Sequence, residues 1–433
     1  MKLRRGFYIL LLFAGVVILS NTLNATVSSH KYSESYPAIA CPGSGTGVYS
    51  WVSVATKKSL YRKVASKSTK FTRAKSSTIG IGTNPILIDG VGVTSIASQS
   101  VSGVWSGSAV CSSAQGEQWF IGGAADVSSK GYVQLVNSGL SEAIVDIAIW
   151  SEHGPQVGKV ISVKANSTAT VRLDALAAGQ SRLVIRVVPR SGRVTAFLMD
   201  ERKLGLRTLG GDIVNSVGAP TKDLVITGIP HRNDQSAAST HVLRLIAPGA
   251  APANLRVELI STDGVFVPVG LDSMHLDQGI VKDIVLKPTI ISHIISLRIH
   301  SDQPIQAGVY SVDTSSGHKD FLWSVASPQL VPMRLAVNSL NPSFYFTGDT
   351  ISISLSTKLT SGKIVRTILK GREIRGWNAP KNSQTITIVD VNPGVVGSVI
   401  VRTRNGIAGF PLIPGSVLTR ASVPNSDISV INR

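Results

Sequence analysis

Short apolar runs separated by turns recur along most of the chain, and their spacing predicts an all-β protein. From Ile79 onward the runs return about every eight to twelve residues, separated by Gly, Pro, Asn and Ser. Apolar and polar residues alternate in Val145–Ile149 and again in Leu255–Leu259, as in strands with one buried face and one exposed face. This spacing is typical of antiparallel sandwiches or barrels.

One stretch of this pattern occurs twice. Ala169–Asp200 and Lys282–Asp313 each contain three apolar runs broken by turns, and shorter matching pieces, Val133–Trp150 and Leu243–Ile260, precede them. The repeat unit is roughly 110 residues, which fits immunoglobulin-like sandwiches better than the shorter units of propellers and solenoids. We therefore expect tandem immunoglobulin-like β-sandwich modules.

The connectors between the apolar runs place the domain boundaries. We expect a basic, partly mobile lead-in over residues 26–78, followed by β-sandwich module 1 over 79–205, module 2 over 206–325 and module 3 over 326–433. Module 3 matches the first two less closely than they match each other. A chain of this length is long enough for each of three modules to bury its own core.

The N-terminus has the order of an export signal. Lys2, Arg4 and Arg5 precede a continuous apolar run, Phe7–Leu19, and a polar stretch follows. Because the run is shorter than the ~20 residues of a spanning helix, residues 1–25 are expected to be a signal peptide, with an uncleaved signal anchor as the alternative. Either way the rest of the chain is expected to be exported, extracellular or membrane-anchored and facing outside.

The two cysteines of the chain, Cys41 and Cys111, fit this compartment. In an exported chain a single disulfide is the natural interpretation, and it would close a loop of about 70 residues and contribute about 4 kcal/mol in the chain-entropy model. Ala38–Cys41 also resembles a lipoprotein acylation box. That alternative is disfavoured because charged residues separate the box from the apolar run.

Charge changes the picture more than overall composition does. The formal net charge is +18, and residues 1–88 contain twelve Lys and Arg against one Glu. Outside a cell the expected partners are anionic envelope polymers or other surface proteins, held by salt-sensitive attraction, and not nucleic acid. A solvated, mobile arm is the alternative. The candidate polyanion contacts are Lys57, Lys58, Arg62, Lys63, Lys67, Lys70, Arg73 and Lys75.

The sequence contains no motif that assigns catalysis. The eight His lack metal-ligand spacing, Gly43–Gly47 has no helix behind it to cradle a phosphate, and Ser106–Ser108 lacks the frame of a nucleophile elbow. No catalytic, metal or cofactor-binding residue is assigned and no cofactor is expected. Exposed Trp could stack on sugars, but Trp105, Trp119 and Trp150 lie in apolar runs and are expected to pack in cores.

Several motifs are shared with a known family. Cys41–Gly43, Trp119–Gly123, Gly131–Asn137, Val171–Leu176 and Gly192–Phe197 resemble the actinobacterial large secreted protein family catalogued as a domain of unknown function. The resemblance covers Cys41 to Asp313. It implies export, a Gram-positive envelope and tandem β modules, and it transfers no catalytic residue.

These observations lead to one expectation and two alternatives. We expect an exported cell-envelope protein of unknown molecular function that is a non-enzymatic structural or interaction scaffold, with the N-terminal segment as its one membrane anchor if it is retained. A carbohydrate- or wall-polymer-binding module array is the first alternative. A hydrolase is the second, because paired carboxylates can come together from distant strands.

Overall fold

Antiparallel strands make up nearly all the regular structure of the protein. A computed structural model describes residues 36–90, 92–205, 207–232 and 241–416. Across these ranges the one element that is not a strand is a short 3-10 turn, Leu173–Ala175. The all-β fold class is therefore confirmed. The expected signal peptide or signal anchor, residues 1–25, lies outside the described residues.

The first two sheets form a sandwich that we call module A (residues 36–112). Its strands are β1 (Tyr36–Cys41), β2 (Tyr49–Ser53), β3 (Leu60–Lys63), β4 (Thr72–Arg73), β5 (Thr78–Ile81), β6 (Ile86–Gly90), β7 (Ile96–Val101) and β8 (Trp105–Val110). They pair in the orders β1-β6-β3-β4 and β5-β2-β7-β8. Val52 and Ile86, one from each sheet, meet in the shared core, where burial of apolar area stabilises the sandwich.

Module A contains most of the segment that the sequence left as a partly mobile lead-in. Strands β1–β4 and the start of β5 lie before residue 79, and they pair with strands that come after it. The core is divided in the same way, with Val52 and Val54 before that point and Ile88 and Ala97 after it. Strands of two to six residues are too short to show a readable period, which is why the sequence pattern missed them.

A disulfide closes module A. Cys41 at the end of β1 and Cys111 after β8 are bonded, with their Cα atoms 4.5 Å apart, and both side chains are fully buried. The predicted pairing is confirmed. The bond ties the first strand of the module to its last, and so restrains the unfolded chain over the whole module.

The next two sheets form module B (residues 118–214). Its strands are β9 (Gln118–Ile121), β10 (Tyr132–Asn137), β11 (Ala143–Ser151), β12 (Gly154–Pro155), β13 (Lys159–Val163), β14 (Ser167–Arg172), β15 (Leu183–Pro189), β16 (Val194–Leu204) and β17 (Arg207–Val214). The orders are β9-β15-β11-β12, with β13 also on β11, and β14-β10-β16-β17. Burial along β11 alternates residue by residue, as its sequence predicted.

Module C (residues 221–325) follows the same plan with one long shared strand. Its strands are β18 (Thr221–Pro230), β19 (His241–Ile246), β20 (Ala253–Ser261), β21 (Gly264–Phe266), β22 (Met274–Leu276), β23 (Lys282–Leu286), β24 (Ile294–Asp313) and β25 (Asp320–Val325). The first half of β24 pairs with β18 and β20, and its second half pairs with β19 and β25.

The strand orders of modules A, B and C correspond position by position. In each module the first strand lies at the edge of one sheet and the last strand at the edge of the other. The repeated stretch Ala169–Asp200 runs from β14 to β16, and Lys282–Asp313 runs from β23 to the end of β24. These are equivalent places, so the two stretches are the same part of the scaffold.

Module D (residues 333–412) is a single six-stranded sheet that packs on module A. Its strands are β26 (Met333–Ala336), β27 (Ser343–Leu359), β28 (Ile364–Asn378), β29 (Ser383–Val391), β30 (Val396–Thr403) and β31 (Gly406–Pro411), in the order β26-β29-β27-β30-β31 with β28 on β27. Its core takes in Ile96 and Val110 of module A. The Thr94 N–H donates to the Arg334 carbonyl at 2.8 Å.

The last strands of the four modules meet in what we call the central junction (β8, β17, β25 and β31). β8 packs against β17 and β31, and β25 packs against the same two strands. Glycine permits this approach, since a Cβ on Gly107 would lie 2.9 Å from the Ile213 nitrogen and one on Gly211 would lie 2.9 Å from the Trp105 ring. The described modules therefore share one buried centre.

Candidate functional site

Asp320 lies in the central junction and contacts all four modules. Its Oδ2 accepts hydrogen bonds from the backbone N–H groups of Ser106 at 3.1 Å and Ile407 at 3.0 Å, and its Oδ1 accepts one from Gly211 at 3.2 Å. Asp320 begins β25, so one carboxylate joins module C to modules A, B and D. Burial raises the pKa of Asp320 to about 7, although the N–H donors act in the opposite direction.

Two more carboxylates are buried beside it. Asp212 Oδ2 accepts a hydrogen bond from the Trp323 backbone N–H at 2.8 Å, and Asp200 Oδ2 accepts one from the Trp323 indole Nε1 at 2.9 Å. Arg202 donates to Asp200 at 3.0 Å. Desolvation raises the pKa of Asp212 well above its usual range. Because these carboxylates are buried and hydrogen-bonded to other groups of the chain, we interpret the junction as structural.

Asn215 adds a second set of links between the central strands. Its Oδ1 accepts from the Val110 N–H at 3.0 Å, and its Nδ2 donates to the carbonyls of Ser108 at 2.9 Å and Gly409 at 3.1 Å. β8, β17 and β31 are thereby held at one register. Buried polar groups with several partners specify a unique arrangement better than apolar packing alone.

The cationic segment, Lys57–Lys75, forms the β3–β4 side of module A. Seven of its eight cations are exposed. The described part of residues 36–112 contains one acidic residue, Asp89. No described carboxylate forms an ion pair with any of the seven. They are Lys57, Lys58, Lys63, Lys67, Lys70, Arg73 and Lys75. A dense, uncompensated positive surface of this kind attracts polyanions.

Arg62 is the member of the predicted set that the structure places elsewhere. It is 8% exposed. Its guanidinium donates to the Asn166 side chain and, at 3.5 Å, to the Ser138 carbonyl, both in module B. The Phe71 ring lies 5.8 Å from it, and desolvation lowers its pKa. Arg62 therefore joins modules A and B and is not available to a polymer.

A second surface feature, which we call the aromatic–serine cleft, lies between modules A and D. It is a cavity of about 460 Å3. Tyr49 and Trp51 project from one face of β2, where they stand opposite Ser100 and Ser98 of β7, and Ser106 and Ser108 of β8 continue the same rows. Arg404 and Asn405 of the β30–β31 turn complete the lining. Tyr49 is 69% exposed.

The six Trp fall into two groups. Trp105, Trp119 and Trp323 are buried, whereas Trp51, Trp150 and Trp377 are partly exposed. Trp150 stacks on Trp119 with the ring centroids 5.1 Å apart. Of the six Trp, Trp51 is the one that lines the aromatic–serine cleft. Sequence spacing could not single it out, because its accessibility depends on how module D packs on module A.

Two histidines that are scattered in the sequence meet in a buried pair. His231 Nδ1 and His241 Nε2 are 3.0 Å apart, His241 Nδ1 lies 2.8 Å from Ser311 Oγ, and His231 Nε2 lies 3.3 Å from the Ile290 carbonyl. Burial lowers the pKa of His241 to about 4, and the charge on His231 acts in the same direction. The pair is thus held neutral, as part of the interior of module C.

One exposed pair has the residue types of acid–base catalysis. His300 Nδ1 lies 2.5 Å from Asp223 Oδ1, on adjacent strands. Within the part of the chain that the structure describes, no hydroxyl or thiol hydrogen-bonds the other ring nitrogen, so the arrangement does not form a nucleophile–base pair. In the same ranges no group of three or more His, Cys, Asp or Glu could hold a metal ion.

The fold and these surfaces define an all-β protein of three joined sandwich modules and a fourth, single-sheet module, with a basic first module. The chain belongs to a family of unknown function, DUF5719, whose model matches residues 90–358. The sequence resemblance to a domain of unknown function is thereby confirmed. No curated protein matches the chain. In the described ranges no helix is long and apolar enough to cross a membrane.

Two solved structures show a limited likeness. The Thermotoga maritima 1070 structure is 15% identical at a TM-score of 0.20, with 25% of this chain and 93% of that chain covered. The chicken CNTN1 FN1-FN3 domains are 11% identical at a TM-score of 0.11, with 69% of this chain and 99% of that chain covered. At such scores neither comparison informs function.

Proposed function

We propose that the chain is an exported cell-envelope protein, a non-enzymatic interaction scaffold whose module A binds anionic surface polymers. The observation that carries the proposal is the cationic segment. It has seven exposed Lys and Arg side chains, and the described part of module A contains a single acidic residue. The N-terminal signal pattern supports export, and the Cys41–Cys111 disulfide suits an oxidising compartment. The central junction gives the scaffold its fixed geometry.

The direct test is binding of the full chain to a defined anionic polymer, inorganic polyphosphate, at several salt concentrations. Changing the seven exposed cations of the segment to Ser should weaken binding at least tenfold and flatten its salt dependence, because exposed charges act through screened attraction. The variant carries the changes at Lys57, Lys58, Lys63, Lys67, Lys70, Arg73 and Lys75.

A matched control removes the same number of cations elsewhere. The β27–β28 hairpin and the turn after it also carry seven, namely Lys358, Lys363, Arg366, Lys370, Arg372, Arg375 and Lys381. Changing those to Ser should weaken polyphosphate binding less than the changes in module A do. Equal loss in the two variants would show that net charge, rather than module A, determines binding, and would contradict the proposal.

The aromatic–serine cleft favours a second candidate, a carbohydrate-binding protein. An exposed Tyr49 beside a partly exposed Trp51 offers rings for stacking, and serine hydroxyls next to Asn405 offer hydrogen bonds to sugar hydroxyls. The same assay separates the two candidates when a neutral polysaccharide replaces polyphosphate. Binding of the neutral polymer that is lost in Tyr49→Ala and kept in the seven-cation variant would favour this second candidate.

A further inference from the structure

A large cavity opens at one edge of module C. It has a volume of about 870 Å3 and lies between the β21–β22 connection of one sheet and β23 with its following loop on the other. A volume of this size falls within the ~300–1,000 Å3 of small-molecule sites. The two sheets of the sandwich therefore separate at this side instead of closing on each other.

The strand pattern explains the opening. In module B, β13 pairs with β11 over five residues and covers the corresponding edge. In module C, β21 and β22 each pair with β20 over only three residues. The loop between them, residues 267–273, keeps one backbone hydrogen bond to this edge, from the Val257 N–H to the Leu271 carbonyl at 2.8 Å, instead of a continuous ladder. Core side chains at the bottom of the cavity are therefore reached from outside.

The lining of the cavity is apolar from bottom to rim. Leu259, Leu271 and Leu286 are buried at its base. Phe266 is 43% exposed and Val269 is fully exposed at its mouth. A contiguous exposed group of large apolar side chains commonly marks a binding site. The lining is therefore suited to an apolar ligand that enters between the sheets.

Two cations lie at the same cavity. Lys282 and Lys287 both line it, and the Lys282 ammonium donates to the His275 carbonyl at 3.3 Å. None of the described residues that line the cavity carries a carboxylate. An apolar interior with uncompensated cations at the edge matches a ligand that has an apolar chain and one anionic end.

We propose that this cavity binds the acyl chain of a long-chain anionic amphiphile, with the chain between the two sheets and the anionic head group at one of the two cations, Lys282 or Lys287. The buried lining residues Leu259 and Leu286 favour a slender chain over a second protein surface, because a flat sheet face would not reach them. The site is separate from the cationic segment, so it stands or fails independently of polymer binding.

The test uses palmitate and the full chain. We expect saturable binding of one palmitate per chain and weaker binding of shorter fatty acids, by about fourfold for each CH2 removed. Lys282→Glu with Lys287→Glu should weaken binding at least tenfold by repelling the carboxylate. Val285→Glu, at a lining residue that is 55% exposed, should do the same by placing a charge in the apolar lining.

A matched control and a mapping experiment decide the outcome. Val160 of module B is also 55% exposed, and Val160→Glu should bind palmitate like the wild type. A photoreactive palmitate should label peptides within residues 259–290. Absent saturable binding, labelling elsewhere, or equal weakening in Val160→Glu would overturn the proposal. A wild-type dimer that Val285→Glu converts to a monomer would do so too, since a second copy would then occupy the cavity.

Discussion

At the scale of single residues, buried polar side chains hold the modules together. Asp320 accepts hydrogen bonds from three other modules. Asn215 accepts one from module A and donates to modules A and D. Arg62 acts in the same way between modules A and B. A sequence pattern registers these residues only as charges or turn formers, because their partners in other modules lie 76 to 214 residues away in the chain.

Asp320 gives the sharpest prediction at this scale. Asp320→Asn should lower the free energy of unfolding by at least ~2 kcal/mol, because the new amide group turns N–H donors toward backbone N–H groups and leaves buried donors unpaired. Chemical denaturation of both proteins at pH 8 measures the difference. The exposed Asp272 provides the control, and Asp272→Asn should change stability by less than ~0.5 kcal/mol. Similar values for the two variants would exclude the assigned role of Asp320.

At the scale of elements, the sequence was most informative where strands are long and alternate. β11 and β20 were readable from Val145–Ile149 and Leu255–Leu259, and the repeated stretches correspond to equivalent strands of modules B and C. Module A was not readable as a module, because its strands are short and its outward positions carry Lys and Arg. Its disulfide was predictable, since two cysteines in a chain that is expected to be exported have one pairing.

The aromatic–serine cleft and the apolar cavity of module C lay beyond sequence reasoning for another reason. Both depend on tertiary packing. The cleft lies where module D meets module A, and the cavity lies where β21 and β22 are too short to close a sheet edge. Tyr49 and Val285 are ordinary strand residues in the sequence. Only the packing makes them accessible.

The His231–His241 pair connects the end of β18 to the start of β19 and predicts a pH dependence. The pKa of His241 falls to about 4 in the folded protein from an ordinary value of 6.5, so the unfolded chain binds more protons between those values. Stability is therefore expected to fall as pH drops from 6.5 toward 4, with about 3 kcal/mol attributable to this group.

Comparison with His241→Gln isolates that contribution from other titrations. Asp320 acts with the opposite sign, because its raised pKa makes stability fall as pH rises toward 7. We expect the stability difference between the wild type and His241→Gln to shrink as pH is lowered from 7 to 4. Denaturation curves at intervals across this range give the difference directly. A constant difference would mean that the pair does not titrate as its burial implies.

At the scale of the whole molecule, four β modules share one buried centre and present different surfaces outward. Module A presents cations, the contact of modules A and D presents aromatic rings and hydroxyls, and module C presents an apolar cavity with a cationic rim. Distinct surfaces on a common scaffold suit a protein that holds several envelope components together. The proposed envelope function requires that the chain reach the outside of the cell.

The location of the chain is therefore the measurement that bears most directly on the proposed function. Intact cells that produce the full chain are treated with an external protease, and the cysteines are alkylated in denaturant before and after reduction. We expect the chain to be cleaved without lysis, and Cys41 and Cys111 to react only after reduction. Cleavage that requires lysis, together with cysteines that react without a reductant, would contradict an exported envelope scaffold.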